Sequence, residues 1–356
     1  MHKINAKMTS CSYDVNIKDN LSDAFVQTLE KSNYDKIFIL TNELIQSLHS
    51  KHEIFNQGYK IIPVNNNEEI KNITEAEKII EQLILKGCTR SSLIIGVGGG
   101  SITDFTGFIA SIFMRGIDHA FVPTTLLGMV DAAIGGKTGV NTLVGKNLIG
   151  TFKQPKSVYI DSLFLNTLDK KQIINGFSEI VKYGLICDAN LYEQVEENFY
   201  DLITLINKEM LNDIIIQCCN HKVNVVGKDE FETNQRMILN FGHTIGHALE
   251  SYHQYQNIDH GDAVYYGMIG AGFISFKLNY LSEGEFKRIN QFIKSIQKFK
   301  LKNINVEQLF HCMKYDKKQL NNNQHFILLN TIGKTIIEKN ISKELIMESL
   351  NFITKV

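Results

Sequence analysis

The sequence predicts two domains of different class, an α/β domain in residues 1–162 and an all-α domain in residues 163–356. Short apolar runs alternate with helical periodicity in the first half, which is typical of a parallel sheet covered by helices. After residue 162 the helical periodicity dominates. A chain of 356 residues is long enough to form two cores of this kind.

The first half contains the strand patterns. Each predicted strand is a run of branched or aromatic apolar residues, and the helices between them carry apolar residues at helical spacing. Strands are predicted at 36–40, 59–64, 93–97, 119–123 and 157–161, and helices at 74–85 and 105–114.

The second half is predicted to be mainly helical. Helices are expected at 188–206, 211–226, 243–252, 263–278, 283–295, 306–314 and 343–352. One small hairpin is predicted, with strands at 324–329 and 334–337 and a turn at 330–333. Ligands of open parallel sheets bind beyond the carboxyl ends of the strands, so the site is expected between the two halves.

A glycine-rich segment from Gly96 to Gly100 lies between the strand at 93–97 and the next helix. In a Rossmann-like domain, this is where backbone amides and a helix N-terminus bind a pyrophosphate. The glycine spacing differs from the usual G-x-G-x-x-G pattern, and a tight strand-to-helix turn explains it as well. The segment is therefore consistent with a dinucleotide but does not require one.

Two histidines four residues apart, His243 and His247, share one face of the predicted helix at 243–252. His260, followed by Gly261 and Asp262, comes shortly afterwards. Upstream, Glu179 lies in the run Gly176–Gly184, and two histidines with one carboxylate are a common ligand set for a catalytic zinc that keeps one position open. The alternative is that these are unrelated polar residues.

Composition excludes several classes of protein. The net charge of −1 argues against nucleic acid or an anionic membrane as the main partner. No apolar run is long enough for a membrane span, and the N-terminus lacks the apolar core of a secretion signal. None of the six cysteines forms a C-x-x-C pair, so free thiols and a cytoplasmic location are expected.

The ordered motifs resemble those of the 3-dehydroquinate synthases, in the sugar-phosphate cyclase superfamily. The resemblance runs from Glu68 to Lys318, most of the chain. The matching segments are 98–104, 113–116, 122–127, 131–141, 145–150, 236–250, 260–264 and 316–318, together with the Gly-Phe-Ser-Glu-Ile-Val-Lys run at 176–182.

The resemblance implies a metal site made of Glu179, His243 and His260. Mixed nitrogen and oxygen ligands suit zinc, and cobalt is an alternative. Asp262 stands where the family commonly has Glu, which keeps the charge but shortens the side chain.

The resemblance also implies the residues that bind and convert a sugar acid phosphate. His247 matches the family's proton-transfer group, and Asp131 matches a residue near both the nicotinamide and the substrate. The implied catalytic residues are His247, Lys182, Asp131, Lys137 and Glu232; the implied substrate-binding residues are Arg115, Lys137, Lys146, Asn147, Lys222, Arg236, Asn240, His247 and Lys318. A surface carboxylate is the alternative interpretation of Glu232, and an exposed ion pair is the alternative for Lys182 with Glu179.

NAD is the implied cofactor, and no basic residue is evident for the 2′-phosphate of NADP. The implied contacts are Asn42, Glu68, Lys71, Gly99, Gly100, Ser101, Asp104, Thr124, Thr125, Leu127, Asp131, Lys137, Lys146, Thr167 and Leu168. Asn67 stands where the family usually has Gly before the Glu-x-x-Lys pattern, and Asn tolerates positive φ better than most residues.

The implied reaction is the redox-neutral cyclisation of 3-deoxy-D-arabino-heptulosonate 7-phosphate to 3-dehydroquinate and phosphate, the second step towards chorismate. The family resemblance further implies a homodimer in which Arg115 reaches the neighbouring site. The alternatives are another sugar-phosphate cyclase, such as an aminodehydroquinate or 2-deoxy-scyllo-inosose synthase, a metal-dependent polyol dehydrogenase, and a binding protein without catalysis.

Overall fold

The computed structural model describes residues 1–18, 22–65, 68–142, 145–315 and 325–355. The strands are β1 (His2–Lys7), β2 (Ser12–Ile17), β3 (Ile37–Thr41), β4 (Lys60–Pro63), β5 (Leu93–Gly98), β6 (Asp118–Pro123), β7 (Lys137–Thr142), β8 (Gly145–Phe152), β9 (Ser157–Ile160), β10 (His325–Thr331) and β11 (Lys334–Lys339). The helices are α1 (Ser22–Glu30), α2 (Glu43–Leu48), α3 (Ile73–Leu85), α4 (Gly100–Ile112), α5 (Lys170–Cys187), α6 (Ala189–Ile203), α7 (Lys208–Lys228), α8 (His243–Tyr252), α9 (His260–Lys277), α10 (Glu283–Ile296), α11 (Val306–Tyr315) and α12 (Lys343–Ile353).

The chain divides into two compact units. The first contains residues 1–173 and 209–231, so it includes most of helix α7, and the second contains 174–208 and 232–356. The first unit is α/β and the second is mainly helical, which confirms the predicted fold class.

The sheet of the first unit has the strand order β1-β2-β9-β6-β5-β3-β4 across the described residues. All its pairs are parallel except β1 with β2. Every residue of β5 is buried, as expected for a central strand with helices on both faces. Helix α4 begins directly after β5, so its N-terminus lies at the carboxyl edge of the sheet, where ligands of such folds bind.

Helix α9 is the core of the second unit. Fourteen of its residues are buried, and helices α8, α10 and α12 and strand β10 pack against it. A helix that is apolar on all sides has no face suited to water, so it must be surrounded by other elements. Its first residue is His260, so the most enclosed helix of the unit fixes one of the predicted metal ligands.

The predicted small hairpin is present as β10 and β11, whereas two other antiparallel pairs were not predicted. These are β1 with β2, and β7 with β8. Strand β8 has no buried position, so its sequence lacks the alternation that marks a half-buried strand.

Candidate active site

Glu179, His243 and His260 come together in the second unit, with ligand atoms within 4.8 Å of one another. Each histidine is the first residue of its helix, α8 or α9, and Glu179 lies within α5. Glu179 is 0% exposed. The Nε2 atoms of His243 and His260 lie 3.5 Å and 3.7 Å from its Oε1.

The orientation of His243 suits a cation. Its Nδ1 lies 3.1 Å from the backbone oxygen of Phe241, and because a carbonyl can only accept, Nδ1 is the protonated nitrogen. Burial, with the charge of Lys182 nearby, lowers the pKa of His243 to about 3, so the ring is neutral near pH 7. Its Nε2 is then an acceptor facing the acceptor Oε1 of Glu179, and a metal ion between them would satisfy both atoms.

His260 is supported by a second carboxylate, Glu250, which lies in α8 and is 3% exposed. Nδ1 of His260 is 3.6 Å from Oε1 of Glu250. Although burial opposes the shift, Glu250 and Glu179 raise the pKa of His260 to about 10. A cation bound here would replace that proton, so metal binding is linked to proton release. Glu250 ends the matching segment 236–250, but its contact with His260 was not predicted, because that contact depends on the packing of α8 against α9.

Two glycines allow this geometry. Gly242 caps α8 with a φ of 77°, a left-handed conformation that lets the helix begin at His243. A Cβ on Gly261 would lie 2.3 Å from Oδ1 of Asn175, so only glycine fits where α9 approaches α5. The amide of Gly261 donates to that Oδ1, which fixes the turn that carries His260.

Lys182 and His247 lie beside the triad. Nζ of Lys182 contacts the Glu179 carboxylate, and the lysine is 1% exposed, so the alternative of an exposed ion pair is wrong. The ring centroid of His247 lies 5.3 Å from that of His243 and 6.5 Å from that of His260. His247 is therefore adjacent to the three candidate ligands without being one of them.

The short helix Gln235–Asn240 carries two further predicted site residues, Arg236 and Asn240. Arg236 is 2% exposed, which is exceptional for a guanidinium. Nδ2 of Asn240 donates to Oε1 of Glu232 at 2.9 Å, and Glu232 has a φ of 59°. Glu232 thus positions the Asn240 amide. The backbone oxygen of Asp262 accepts from Nε2 of Gln297 at 3.0 Å, so this departure from the family leaves the start of α9 bonded.

In the first unit, Lys222 of α7 binds Asp131. Its Nζ donates to the backbone oxygen of Asp131 at 2.6 Å and lies 2.7 Å from Oδ1. Asp131 lies in the π-helical turn Gly128–Ala132. Two residues that are 91 positions apart in sequence are therefore joined in one charged pair.

Five of the predicted cofactor and substrate residues form one polar network around Lys71, which is 3% exposed. Its Nζ donates to Asp104 at 2.9 Å and to Asn147 at 2.6 Å and lies 3.3 Å from Glu68. Ser101 donates to Glu68 at 2.6 Å. Burial raises the pKa of Asp104, although Lys71 opposes it. At Glu68 burial also acts to raise the pKa, but the charge of Lys71 and the hydrogen bonds from Ser101 and Asn141 together lower it, with a smaller effect from Lys146.

The glycine-rich turn exposes the start of α4. Gly99 is its N-cap and supplies no side-chain bond, so the first amides can bind an anion. A Cβ on Gly99 would lie 3.1 Å from Thr125, and one on Gly100 would lie 3.2 Å from Ala132. The segment Thr124, Thr125 and Leu127 follows β6 and packs beside this turn, with Thr124 N donating to Gly98 O at 2.9 Å.

Asn42, Thr167 and Leu168 lie at the ends of other elements of the first unit. Asn42 caps α2 by accepting from Ile45 N at 2.6 Å, and Leu168 follows the short helix Ser162–Thr167. Thr167 Oγ1 lies 2.8 Å from Nε2 of His49, a contact that the sequence did not predict.

The remaining predicted residues are Arg115, Lys137 and Lys318. Arg115 is exposed and has a φ of 66°, in a short helix that follows α4. Lys137 is exposed at the first position of β7. Lys318 and Asn67 lie outside the described residues.

Comparison with known families identifies the chain. Residues 61–175 match the model described as 3-dehydroquinate synthase N-terminal, and residues 176–319 match the model described as 3-dehydroquinate synthase C-terminal. The chain belongs to the 3-dehydroquinate synthase family. It is accordingly an enzyme of this type, a lyase that acts on a phosphate.

Relatives in this family match most of the chain. The 3-dehydroquinate synthase of Thermoanaerobacter pseudethanolicus is 40% identical over 325 residues, which covers 87% of this chain and 90% of that protein. The one from Campylobacter jejuni subsp. doylei is 39% identical over 348 residues and covers 95% and 98%.

A solved structure shares the fold. It is a 2-deoxy-scyllo-inosose synthase complexed with carbaglucose-6-phosphate, NAD+ and Co2+, which matches with a TM-score of 0.88 and 26% identity. The match covers 98% of this chain and 99% of that one. Among the described residues of the present chain, no helix is both long and apolar enough to cross a membrane.

Proposed function

We propose that this protein is a 3-dehydroquinate synthase that uses NAD and zinc to convert 3-deoxy-D-arabino-heptulosonate 7-phosphate to 3-dehydroquinate and phosphate. The observation that carries the proposal is the triad of Glu179, His243 and His260, backed by Glu250, in a chain of this family. We further propose that residues 1–162 bind NAD and residues 163–356 carry the metal.

Glu179, His243 and His260 are the proposed zinc ligands. Two imidazoles and a carboxylate are a ligand set that suits zinc and leaves a position for a substrate oxygen. When bound, the ion would supply Lewis acidity at that oxygen. Cobalt accepts the same ligands, and the related 2-deoxy-scyllo-inosose synthase is complexed with Co2+.

The first unit supplies the proposed NAD site. The open N-terminus of α4 suits the pyrophosphate, and the Lys71 network offers the carboxylates of Glu68 and Asp104 to ribose hydroxyls. NAD supplies a reversible hydride acceptor, and the net conversion leaves it unchanged. The proposed contacts also include Asn42, Thr124, Thr125, Leu127, Thr167 and Leu168.

The substrate would be bound by its two anionic ends. We assign its carboxylate to Arg236 and Lys222, both nearly inaccessible to solvent, because they match the family's carboxylate-binding pair and the planar fork of an arginine suits a carboxylate. We assign its phosphate to Lys137, Asn240, His247 and Lys318. Lys146 and Asn147, which follow Lys137 in the sequence, are proposed as further substrate contacts. Arg115 would be contributed by the partner subunit of a homodimer. The fork of an arginine suits a phosphate.

His247 is the proposed proton-transfer group. It lies beside the metal ligands but outside the ligand set, so its ring nitrogens can exchange a proton with the substrate. Lys182 holds the Glu179 carboxylate, Glu232 orients Asn240, and Asp131 holds Lys222.

Glu250→Gln is expected to weaken metal binding by about 10–100-fold, the usual effect of losing a carboxylate that orients a histidine ligand. Glu250 lies against Nδ1 of His260 and is not one of the three proposed metal ligands. Metal titration with a competing chelator measures the change. Glu196→Gln, which alters a half-buried carboxylate paired with Arg288, is the matched control and should keep the original affinity. Equal affinities of all three proteins would contradict the role of Glu250.

The proposed reaction is tested by supplying a trace of NAD together with zinc and the heptulosonate phosphate. Because the conversion is redox-neutral, phosphate and dehydroquinate should form in large excess over the NAD added. NADH that accumulates one-for-one with product would show a dehydrogenase and contradict the proposal.

A further inference from the structure

Lys137, proposed above as a phosphate ligand, follows a turn made of two glycines. Gly135 has a φ of 103° and Gly136 a φ of 68°, so both adopt conformations that other residues rarely take. Lys137 is then the first residue of β7. The direction in which its side chain leaves the backbone depends on how firmly this turn is held.

Three contacts hold the turn. The hydroxyl of Tyr13, a residue 3% exposed in β2, accepts from Gly135 N at 3.2 Å. The oxygen of Gly136 accepts from Lys153 N at 2.8 Å. The carboxamide of Gln154 covers Gly136, with atoms 2.6–2.8 Å from the place where a Cβ would stand.

Gln154 is itself held by Glu230. Its Nε2 donates to Oε1 of Glu230 at 2.9 Å. Glu230 also accepts from the amide and the hydroxyl of Ser10, at 2.9 Å and 2.6 Å, and is 3% exposed. Although burial opposes the shift, these bonds hold the pKa of Glu230 below its usual value, so the carboxylate stays charged and ordered.

The next residue, Phe231, contacts the same end of the hairpin. Its ring centroid is 5.4 Å from that of Phe152, in an edge-on arrangement. Phe152 is the cross-strand partner of Lys137 in the β7–β8 register. Two consecutive residues after α7 therefore contact Phe152, which lies opposite Lys137, and Gln154, which covers Gly136.

We propose that Glu230 and Gln154 are positioning residues for Lys137. We call this pair the turn clamp. Gln154 fixes the Gly136 peptide, Glu230 fixes Gln154, and the ammonium of Lys137 is thereby set for a phosphate. The inference rests on the proposed function, because that function gives Lys137 its ligand.

The test is a double-mutant cycle on inorganic phosphate binding, measured by calorimetry on the full chain with NAD and zinc. Loss of one hydrogen-bonded partner typically changes an equilibrium roughly three- to tenfold, so Gln154→Ala is expected to weaken phosphate binding by that factor. In a Lys137→Ala background the same change should have no further effect, because the turn clamp acts through Lys137. Gln57→Ala is the matched control, since Gln57 donates to Glu53 at 3.0 Å away from this turn.

An equal factor in both backgrounds, or no weakening by Gln154→Ala, would overturn the turn clamp. Amide hydrogen exchange gives a second readout that needs no phosphate. Exchange at residues 136–138 should be faster in Gln154→Ala than in Gln57→Ala, with thermal melting as a check of folding. Unchanged exchange overturns the turn clamp whatever the substrate. Failure of the unmodified protein to form dehydroquinate contradicts the proposed function alone.

Discussion

His243→Ala should remove both the stoichiometric metal and the turnover. The variant loses the neutral imidazole whose Nε2 lies 3.5 Å from Glu179, leaving only two ligands of the triad. A Lewis acid supplies several kcal/mol of transition-state stabilisation, so turnover should fall by about 10³-fold or more. Metal analysis of the purified variant, together with steady-state kinetics, measures both effects.

Two other histidines of the same region serve as controls. His247→Ala should keep the metal and lose rate, because His247 lies outside the triad. His253 is the C-cap residue directly after α8, and the His253→Ala protein should keep both metal and rate. A His243→Ala protein with full metal content and near-normal activity would refute the metal assignment.

Arg236→Ala should lower turnover of the heptulosonate phosphate by on the order of 10²-fold or more. Arg236 is 2% exposed, and losing one partner of a buried charged pair costs roughly 2–5 kcal/mol. Arg236→Lys keeps the charge without the planar fork and should recover only part of the loss.

Arg288→Ala is the matched control for this prediction. Arg288 is 42% exposed and pairs with Glu196 on the surface, where ion pairs contribute little. Its removal should leave kcat/KM unchanged. If the Arg236→Ala and Arg288→Ala proteins both kept the unmodified rate, Arg236 would have no part in binding the carboxylate.

Hydrophobic periodicity predicted the helices and strands that are buried on one face or on all sides. Helix α8 begins and ends at the predicted residues, and β3, β5 and β6 lie within one or two positions of the prediction, because their apolar runs are buried in the sheet. Helix α4 begins earlier than predicted, since its first turn consists of glycine and small polar residues that carry no apolar period. The β7–β8 pair was missed because its residues are largely exposed on β8.

The proposed metal ligands were predictable from their motifs, whereas the residues that hold the site residues in place were not. Glu179, His243 and His260 lie in runs that resemble the family, and the structure brings them together. Asn175 and the Glu230–Gln154 pair act through contacts between elements distant in sequence, and Glu250 acts through the packing of α8 against α9, so no local pattern indicates these contacts.

The most direct test of the account is a side-by-side kinetic comparison of two sugars on the unmodified protein with NAD and zinc. The heptulosonate phosphate carries the carboxylate that Arg236 and Lys222 are proposed to bind, and glucose 6-phosphate lacks it. Because glucose 6-phosphate cannot supply the charged contacts of that carboxylate, kcat/KM should strongly favour the heptulosonate phosphate, with 3-dehydroquinate as product. Faster cyclisation of glucose 6-phosphate would contradict the account and favour a 2-deoxy-scyllo-inosose synthase.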